Sequence, residues 1–291
     1  MLGSKPARAV IINADDFGLS REVNAGVIST FRDGVLTSAS LMIAGDARDQ
    51  AVSLAHEHPE LDVGLHIVVC RGFSVLPQSR IDGLVDAVGR FSQQPTLAGM
   101  KYFFQRRVRN FLRDELRAQI DTHFQQIGYL NHVDGHLNFH VHPVIASILV
   151  ELATEYRIPC IRLPREPLLT SLRLAADHFP RKTMESLIFK TLSQRMFKLM
   201  RARGIRTTDC LFGLHQTGHV SEAYVLGLID QLPLGTTEIY FHPAEEVGGE
   251  PPPAAAQNEA RILKSARLRE SLVTAGVCLT SFAEIATQTK S

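Results

Sequence analysis

The sequence predicts an α/β fold with mainly parallel strands, and three observations carry that prediction. Short β-branched runs alternate with helix-like segments along the chain. The 291 residues are 45% apolar, and a chain of this length buries about 75% of its unfolded surface. Seven or eight strand-like runs can be counted, which favours a (β/α) TIM-like barrel with right-handed crossovers over a doubly wound sheet.

The elements follow one another in the order that this fold requires. A buried strand at Ala9–Asn13 precedes a helix over Ser20–Arg32, which Ser20 begins and Asp33-Gly34 ends. Further helices are expected over about Asp46–His58 and over Leu112–Ile127, which ends at Gly128. The later strands are predicted at Leu36–Ile43, Val63–Val69, Tyr129–Val133, Ile158–Leu163, Asp209–Phe212 and Glu238–Phe241. We expect a single domain over residues 1–291, with Glu250–Gln257 as a mobile surface loop.

Composition and charge exclude several classes of protein. A formal net charge of +1 excludes a globally basic nucleic-acid binder and an acidic disordered chain. No apolar run reaches the roughly 18 residues of a membrane span, and Met1–Ala9 lacks the apolar part of a signal peptide. The four cysteines, which are far apart, are typical of reduced thiols in a cytoplasmic protein: Cys70, Cys160, Cys210 and Cys278.

Two basic amphipathic stretches interrupt the alternation as insertions. Lys101–Arg113 combines five cations with five bulky apolar residues, and Arg181–Arg206 carries eight cations against the single anion Glu185. In the second stretch the apolar residues recur every four positions, at Met184, Ile188, Leu192, Met196 and Met200. This pattern suits a membrane surface or an apolar ligand. A solvated outer helix that packs through its apolar face is the alternative.

The densest chemical signal is the segment Asn131–Pro143, which holds four of the twelve histidines. In an extended chain, alternate side chains share one face. That face would carry only polar residues: His132, Asp134, His136, Asn138, His140 and His142. Because alternate side chains stand about 6.6 Å apart, one metal can take only one or two of them. The others would lie behind the ligands or face a substrate.

Three further signals lie at or near the ends of predicted strands. The pair Asp15-Asp16 follows the first strand, His66 lies on the third, and His242 follows the run Tyr240-Phe241. Taken singly, an aspartate that caps a helix or a histidine in a core would explain each of them. In a parallel fold, however, the carboxyl ends of the strands share one face, where active sites gather.

One Asp and two His can hold a divalent metal with positions open for water and substrate. Such a metal lowers the pKa of bound water and polarises a carbonyl oxygen. A second carboxylate can take the proton of the water, and a histidine across the site can protonate the departing atom. These residue types therefore predict hydrolysis of an amide or ester. The sequence contains no GxSxG, P-loop or GxGxxG motif that would indicate other chemistry.

Four motifs, in this order and spacing, resemble those of the YdjC-like carbohydrate deacetylases: NADDFGLS, GLH, HVDGHxxxH and FHPA. The resemblance runs from about Val10 to Ala244. It implies a distorted (β/α) barrel like that of the polysaccharide deacetylases, and a single catalytic deacetylase domain. It also implies an enzyme that hydrolyses an acetamido group with one divalent metal ion. Zinc or magnesium would be the first choices, and manganese, cobalt or iron are also compatible.

A narrower set of segments resembles the hopanoid-biosynthesis-associated branch, HpnK, within this family. The segments are TSASLMIAG, LVDAVGRF, IRLPREP, GIRTTDCLFGL and TEIYFHPA. This resemblance implies an N-acetylglucosaminyl bacteriohopanetetrol as substrate and a glucosaminyl hopanoid and acetate as products. The two basic segments would then touch anionic lipid at the inner face of the membrane. Soluble chito-oligosaccharides such as diacetylchitobiose are the closest alternative, and a homodimer is left open.

The family motifs also imply roles for individual residues. Asp16, His66 and His136 would bind the metal, Asp15 would be the general base and His242 the general acid. The remaining candidates would contact substrate or support the ligands: His132, Asp134, Asn138, His140 and Arg162. Many relatives have a histidine where this chain has Asn138, an amide that binds transition metals poorly, and His140 would be the reserve ligand. A phosphoesterase with two metals and a binding protein without activity are the rival functions.

Overall fold

The computed structural model describes residues 8–287, so most of the segment Met1–Ala9 lies outside the described residues. It contains these strands: β1 (Arg8–Phe17), β2 (Ser38–Leu41), β3 (Asp62–Ile67), β4 (His132–Gly135), β5 (Cys160–Ile161), β6 (Cys210–Phe212), β7 (Gly235–Phe241) and β8 (Val277–Leu279). The helices are α1 (Arg21–Asp33), α2 (Arg48–Glu57), α3 (Pro95–Phe104), α4 (Arg106–Ile127), α5 (Pro143–Glu155), α6 (Leu168–Leu174), α7 (Phe179–Ala202), α8 (Glu222–Gln231), α9 (Ala254–Leu263), α10 (Ala266–Thr274) and α11 (Phe282–Thr287).

The strands form one parallel sheet in the order β5-β4-β3-β2-β1-β7-β6, and β8 pairs with β1. An isolated parallel bridge between Cys160 and Arg206 links the β5 edge to the segment before β6. The sheet therefore curls into a distorted barrel, as predicted. The eighth strand and α11 were not among the predicted elements.

The two faces of β1 show how the barrel is filled. Val10, Ile12 and Ala14 belong to the large apolar core between sheet and helices. Ile11 points the other way and packs inside the barrel with Phe282 of α11. Since side chains alternate along a strand, Asn13 and Asp15 follow Ile11 on the inner face, and both are buried. The barrel interior is thus apolar at one end and polar at the carboxyl ends of the strands.

Several predicted boundaries agree with the structure and others are wrong. The Ser20 hydroxyl accepts a hydrogen bond from the Val23 amide and caps α1, and Gly128 ends α4 in the left-handed conformation. The segment Glu250–Gln257 is not a loop throughout, because α9 begins at Ala254, directly after three prolines. Proline fits this position, since the first turn of a helix needs no amide donor there.

The extended conformation considered for Asn131–Pro143 is wrong beyond Gly135. Strand β4 ends there, and the chain turns into a 3₁₀ helix over His136–Val141. Within it, Leu137 and Asn138 both have a φ of 56°, the left-handed conformation. This turn separates the four histidines from one another, so they do not share one face.

The two basic segments are parts of regular helices. The segment Lys101–Arg113 covers the end of α3, a break at Gln105 and the start of α4. The segment Arg181–Arg206 lies mostly in α7, where only the second half of the predicted apolar face packs inward. Met196 and Met200 are buried there, whereas Met184 and Ile188 remain 59% and 48% exposed. Among residues 8–287, no helix has the length and apolar character needed to cross a membrane.

Candidate metal centre and active site

The carboxyl ends of five strands bring most of the predicted site residues together. Asp15 and Asp16 are close to the end of β1, His66 is on β3 and Asp134 on β4. His136 follows β4, Arg162 follows β5 and His242 follows β7. Parallel strands present these ends at one face, and the seven residues meet there although up to 227 positions separate them in the chain.

The adjacent aspartates of β1 point in different directions because the backbone is distorted at Asp16. Its φ is 63°, in the left-handed region. The register between β1 and β2 also shifts between Ala14 and Phe17. A non-glycine residue in this conformation is strained and is held there by its surroundings. The distortion lets Asp15 face the barrel interior while Asp16 reaches His66 and His136.

Asp16, His66 and His136 form a compact group of potential metal ligands. The Oδ1 atom of Asp16 lies 2.9 Å from Nδ1 of His136 and 3.3 Å from Nε2 of His66. One ligand atom from each residue lies within 4.8 Å of the other two. Two imidazoles and one carboxylate suit zinc and other transition metals, and suit magnesium less well, since magnesium prefers oxygen ligands. The donor set therefore fits one divalent ion.

The other ring nitrogen of His66, Nδ1, is held in place by the carboxylate of Asp134. This Nδ1 atom lies 2.7 Å from Oδ1 of Asp134. The other oxygen of Asp134 accepts a hydrogen bond of 2.7 Å from the Ser40 hydroxyl. A carboxylate in this position fixes the ring and leaves Nε2 to face a metal. His66 also forms a possible group with Asp15 and Asp134, but the contacts of Asp134 identify it as the support of His66.

Arg162, which is fully buried, fixes the predicted general base. Its Nη1 and Nη2 donate to the two oxygens of Asp15, each at 2.7 Å. Its Nε donates to Glu238 at 2.7 Å, and Nη2 lies 2.8 Å from Asp134. The Asn13 side chain donates to Oδ1 of Asp15 at 2.9 Å. Asp15 is therefore held in one orientation by a planar, two-pronged contact.

The centre is rich in negative charge. Three carboxylates contact the guanidinium of Arg162, those of Asp15, Asp134 and Glu238, and a fourth, that of Asp16, lies against His66 and His136. Burial raises the pKa of Asp16, but hydrogen bonds from His136 and His66 outweigh this and hold it well below the usual value. Burial raises the pKa of Glu238 to about 7 although Arg162 lowers it. Buried charges need partners, so a divalent cation would compensate this excess.

The pKa of His66 reflects the same excess of negative charge. Burial lowers it, but the charges of Asp134 and Asp15 outweigh burial and raise it to about 10. A histidine must be neutral to bind a metal. A metal ion bound at this centre would therefore have to displace a proton from His66.

A cavity of about 250 Å³ opens onto this centre and connects it to solvent. Asp15, His66, His136 and His242 form one part of its lining. The backbone amide of His242 donates to Glu259 at 2.5 Å, and its ring lies 5.6 Å from that of Tyr240. His242 is thus held at the cavity, where a substrate would meet it.

The other predicted residues lie beside the ligand group. Nε2 of His140 donates to the Arg162 carbonyl at 3.1 Å. His132 stacks on Phe282 with ring centroids 3.9 Å apart. Asn138 lines the cavity. The ligand groups found among the described residues contain none of these three.

Sequence reasoning missed three residues that support the site: Asn13, Ser40 and Glu238. Asn13 donates to Ser40 Oγ at 2.9 Å as well as to Asp15. The available signal was a polar residue inside an otherwise apolar strand, since all three are buried on strands. Such a residue needs a polar partner in the barrel interior.

Comparisons with known proteins agree with this geometry. The sequence pattern of the YdjC-like protein family matches residues 9–274. A carbohydrate deacetylase of Brevibacillus brevis is 40% identical over 155 residues, which are 53% of this chain and 59% of the relative. One of Vibrio parahaemolyticus is 34% identical over 188 residues, 63% of this chain and 72% of the relative. The match thus spans little more than half the length of the first relative.

A solved structure shares the fold. It is a protein of Enterococcus faecalis V583, provisionally described as a cellobiose-phosphate cleavage protein, with a TM-score of 0.72 and 24% identity. The likeness covers 97% of this chain and all of that chain. The motifs, the site and the extent of the family match lead to one conclusion: the chain belongs to the YdjC-like family.

Proposed function

We propose that this protein is a metal-dependent N-deacetylase that hydrolyses the acetamido group of an N-acetylated amino sugar. The observation that carries the proposal is the pairing of a three-residue ligand group with a carboxylate that does not belong to it. Asp16, His66 and His136 form the group. Asp15 lies beside it, and Arg162 donates a hydrogen bond to each of its carboxylate oxygens. The carbohydrate deacetylases among the relatives support this activity.

Asp16, His66 and His136 would hold the ion. When bound, a divalent ion supplies polarisation of the acetyl carbonyl and a water of lowered pKa. The side chains of the protein do the rest. Asp15, which lines the cavity, accepts the proton of the attacking water, and Arg162 and Asn13 fix the orientation of its carboxylate.

His242 protonates the departing nitrogen. It lies after β7 and lines the same cavity as Asp15 and His66. The reaction consumes one water, breaks the amide C–N bond, and yields acetate and a free amine. A base on one strand and an acid on another allow both proton transfers without large movement.

The geometry favours this reaction over a two-metal phosphoesterase. Two catalytic metals stand about 4 Å apart, and the site must supply enough ligands for both ions. The second potential group, Asp15, His66 and Asp134, shares His66 with the first. Arg162 also contacts both of its carboxylates, so a second cation would have to displace a buried guanidinium.

For the substrate, we propose the N-acetylglucosaminyl bacteriohopanetetrol implied by the HpnK-like segments. Exposed apolar side chains near the cavity support a lipid-linked sugar. Helix α7 lines the cavity and exposes Met184, Leu187 and Ile188. Leu137, beside the ligand His136, is 39% exposed. A diacetylchitobiose-type substrate uses the same chemistry and needs no such surface.

Peripheral contact with an anionic membrane follows from the same proposal. Helix α3 exposes Leu97, Met100 and Phe104 at helical spacing, 51%, 46% and 75% exposed. Four arginines follow in the first turns of α4: Arg106, Arg107, Arg109 and Arg113. An apolar helical face flanked by cations suits the interface of an anionic bilayer. The active site would then meet sugar head groups at the inner face of the membrane.

The test is acetyl loss, measured by mass spectrometry, with the hopanoid and with diacetylchitobiose, each with added metal and with chelator. We expect chelator-sensitive deacetylation of the hopanoid. Turnover of diacetylchitobiose alone would keep the mechanism and reject the lipid substrate. Loss of acetate from neither compound would reject the proposed activity.

A further inference from the structure

The wall of the cavity that faces the ligand group carries its own charged pair. Helix α7 contributes Arg181, Glu185 and Phe189 to this wall. The loop after β6 contributes Leu214 and Thr217, and β7 contributes Tyr240. None of these residues has a part in the chemistry described above.

A buried histidine joins the charged pair to the loop. Oε2 of Glu185 lies 3.6 Å from Nδ1 of His215, whose side chain is fully buried. Nη2 of Arg181 donates to the His215 carbonyl at 3.2 Å. Nε of Arg181 lies 3.9 Å from Oε1 of Glu185, one helical turn away. The arrangement ties the first half of α7 to the loop after β6.

Buried polar atoms that lack hydrogen bonds are concentrated in this wall and directly behind it. Within residues 8–287, no partner is found for Nε of Arg181, Oε2 of Glu185 or either ring nitrogen of His215. Buried polar atoms are nearly always paired in folded proteins, and each exception needs an explanation. Arg181 and Glu185 line the cavity, so these two side chains have hydrogen-bonding capacity left for a polar ligand, whereas His215 lies behind them.

The same wall offers apolar faces. Phe189 and Leu214 line the cavity beside Tyr240, whose hydroxyl lies 3.5 Å from that of Thr217. A pyranose ring has this mixed character, with C–H groups on its faces and hydroxyls around its edge. Binding sites for small molecules combine apolar walls with a few placed polar groups in this way.

We propose that Glu185 and Arg181 bind the hydroxyls of the sugar ring whose acetamido group lies at the ligand group. The Glu185 carboxylate accepts hydrogen bonds from ring hydroxyls, and the Arg181 guanidinium donates to sugar oxygens. His215 positions Glu185 from inside the protein. This inference rests on the proposed function and makes α7 the element that selects the sugar.

The test compares Glu185→Gln with the wild type, and uses Glu270→Gln on the exposed face of α10 as the matched control. Glutamine keeps the shape but removes the charge. A hydrogen bond to a charged group is worth about ten- to hundredfold in affinity. For diacetylchitobiose or the hopanoid, whichever the wild type deacetylates, we expect KM to rise about tenfold, kcat to change less than threefold, and metal content to stay unchanged.

Binding measurements then identify the contact. Methyl N-acetylglucosaminide and its 3-, 4- and 6-deoxy analogues are titrated into the Asp15→Asn variant, with and without Glu185→Gln. One deoxy analogue should bind both proteins equally, because it lacks the hydroxyl that Glu185 accepts from. His215→Phe should produce a similar rise in KM, and adding it to Glu185→Gln should cause little further loss, since the two residues act through one contact.

The outcomes separate this inference from the proposed function. Deacetylation with an unchanged KM in Glu185→Gln would overturn the sugar-binding role and leave the deacetylase standing. A similar loss for all deoxy analogues in Glu185→Gln, or a fall in metal content, would also overturn it. If the wild type released no acetate, weaker sugar binding by Glu185→Gln would still support the sugar-binding role of the cavity wall. If the protein bound no sugar at all, both this role and the proposed deacetylase activity would be rejected.

Discussion

The ligand group at the strand ends and the helical rim, by which we mean the exposed parts of α3 and α7, are built in opposite ways. At the strand ends, charged groups are buried and closely paired, with Arg162 contacting three carboxylates at 2.7 to 2.8 Å. On the rim, α3 and α7 leave large apolar side chains in solvent, with Phe104 75% and Leu187 70% exposed. The charged side chains at the strand ends are fixed by their ion pairs, whereas the apolar side chains of the rim remain exposed and free to contact a ligand.

This difference indicates a division of labour: the strand-end group carries out the chemistry, and the rim selects the substrate. A proton transfer needs its groups fixed within a few tenths of an ångström, which paired side chains on neighbouring strands provide. Recognition of a sugar or lipid needs surface that is free before binding. The predictions below test this division from the largest expected effect to the smallest.

The strongest test replaces each of the two adjacent aspartates with asparagine in a separate variant. Asp15→Asn should lower turnover about a thousandfold or more while metal stays bound, because it removes the proton acceptor but no ligand. Asp16→Asn should lower metal affinity about a hundredfold, because it removes a ligand. Acetate release and metal content by mass spectrometry give the two readings. Asp230→Asn on α8 is the matched control, and activity in both site variants would refute the assignment.

Next in size is the loss of Arg162. Arg162→Leu should destabilise the protein by about 3–5 kcal/mol, because it leaves Asp15, Asp134 and Glu238 buried without their cation. Urea unfolding measures the change. Arg48→Leu, at an exposed pair with Asp49, should leave stability nearly unchanged. Equal losses of stability in Arg162→Leu and Arg48→Leu would contradict the stabilising role of the buried ion pairs.

A smaller effect is expected on the rim. Phe104→Ser should weaken binding to vesicles that contain anionic lipid by about tenfold, because it removes a large apolar side chain from the interface. Deacetylation of a soluble sugar should stay within about twofold of the wild type. Vesicle cosedimentation measures the binding, with Val273→Ser on α10, 77% exposed, as control. If the wild type ignores anionic vesicles at low salt, the membrane contact is rejected.

A final effect, measured on stability rather than on activity or binding, is the pH dependence at Glu238. Burial raises its pKa to about 7 in the folded protein from an ordinary value of 4.5. The folded state therefore binds more protons than the unfolded state between these values, and stability falls as pH rises from about 4.5 through 7. Glu238→Gln should remove this fall. Urea unfolding of both proteins from pH 5 to 8 tests it, and parallel curves would contradict the shift.

Much of the fold and of the ligand group could be predicted from local patterns. The alternation of strands and helices identified seven of the eight strands, and the strand ends marked Asp15, Asp16, His66 and His242. Strand β8 escaped because its three apolar residues form too short a run to predict a strand, and two of them are exposed. Asn13, Ser40 and Glu238 escaped because a single polar residue in a strand does not reveal what it contacts across the barrel.

The sequence by itself determined which residue types stand at each strand end, because apolar periodicity and turn residues act over a few positions. Only the tertiary structure decided which of them meet. It twists Asp16 into the left-handed conformation, ends β4 at Gly135 so that His136 reaches Asp16, and places Arg162 against Asp15. It also leaves the first half of α7 exposed beside the cavity. These outcomes depend on packing between distant segments, which no local pattern contains.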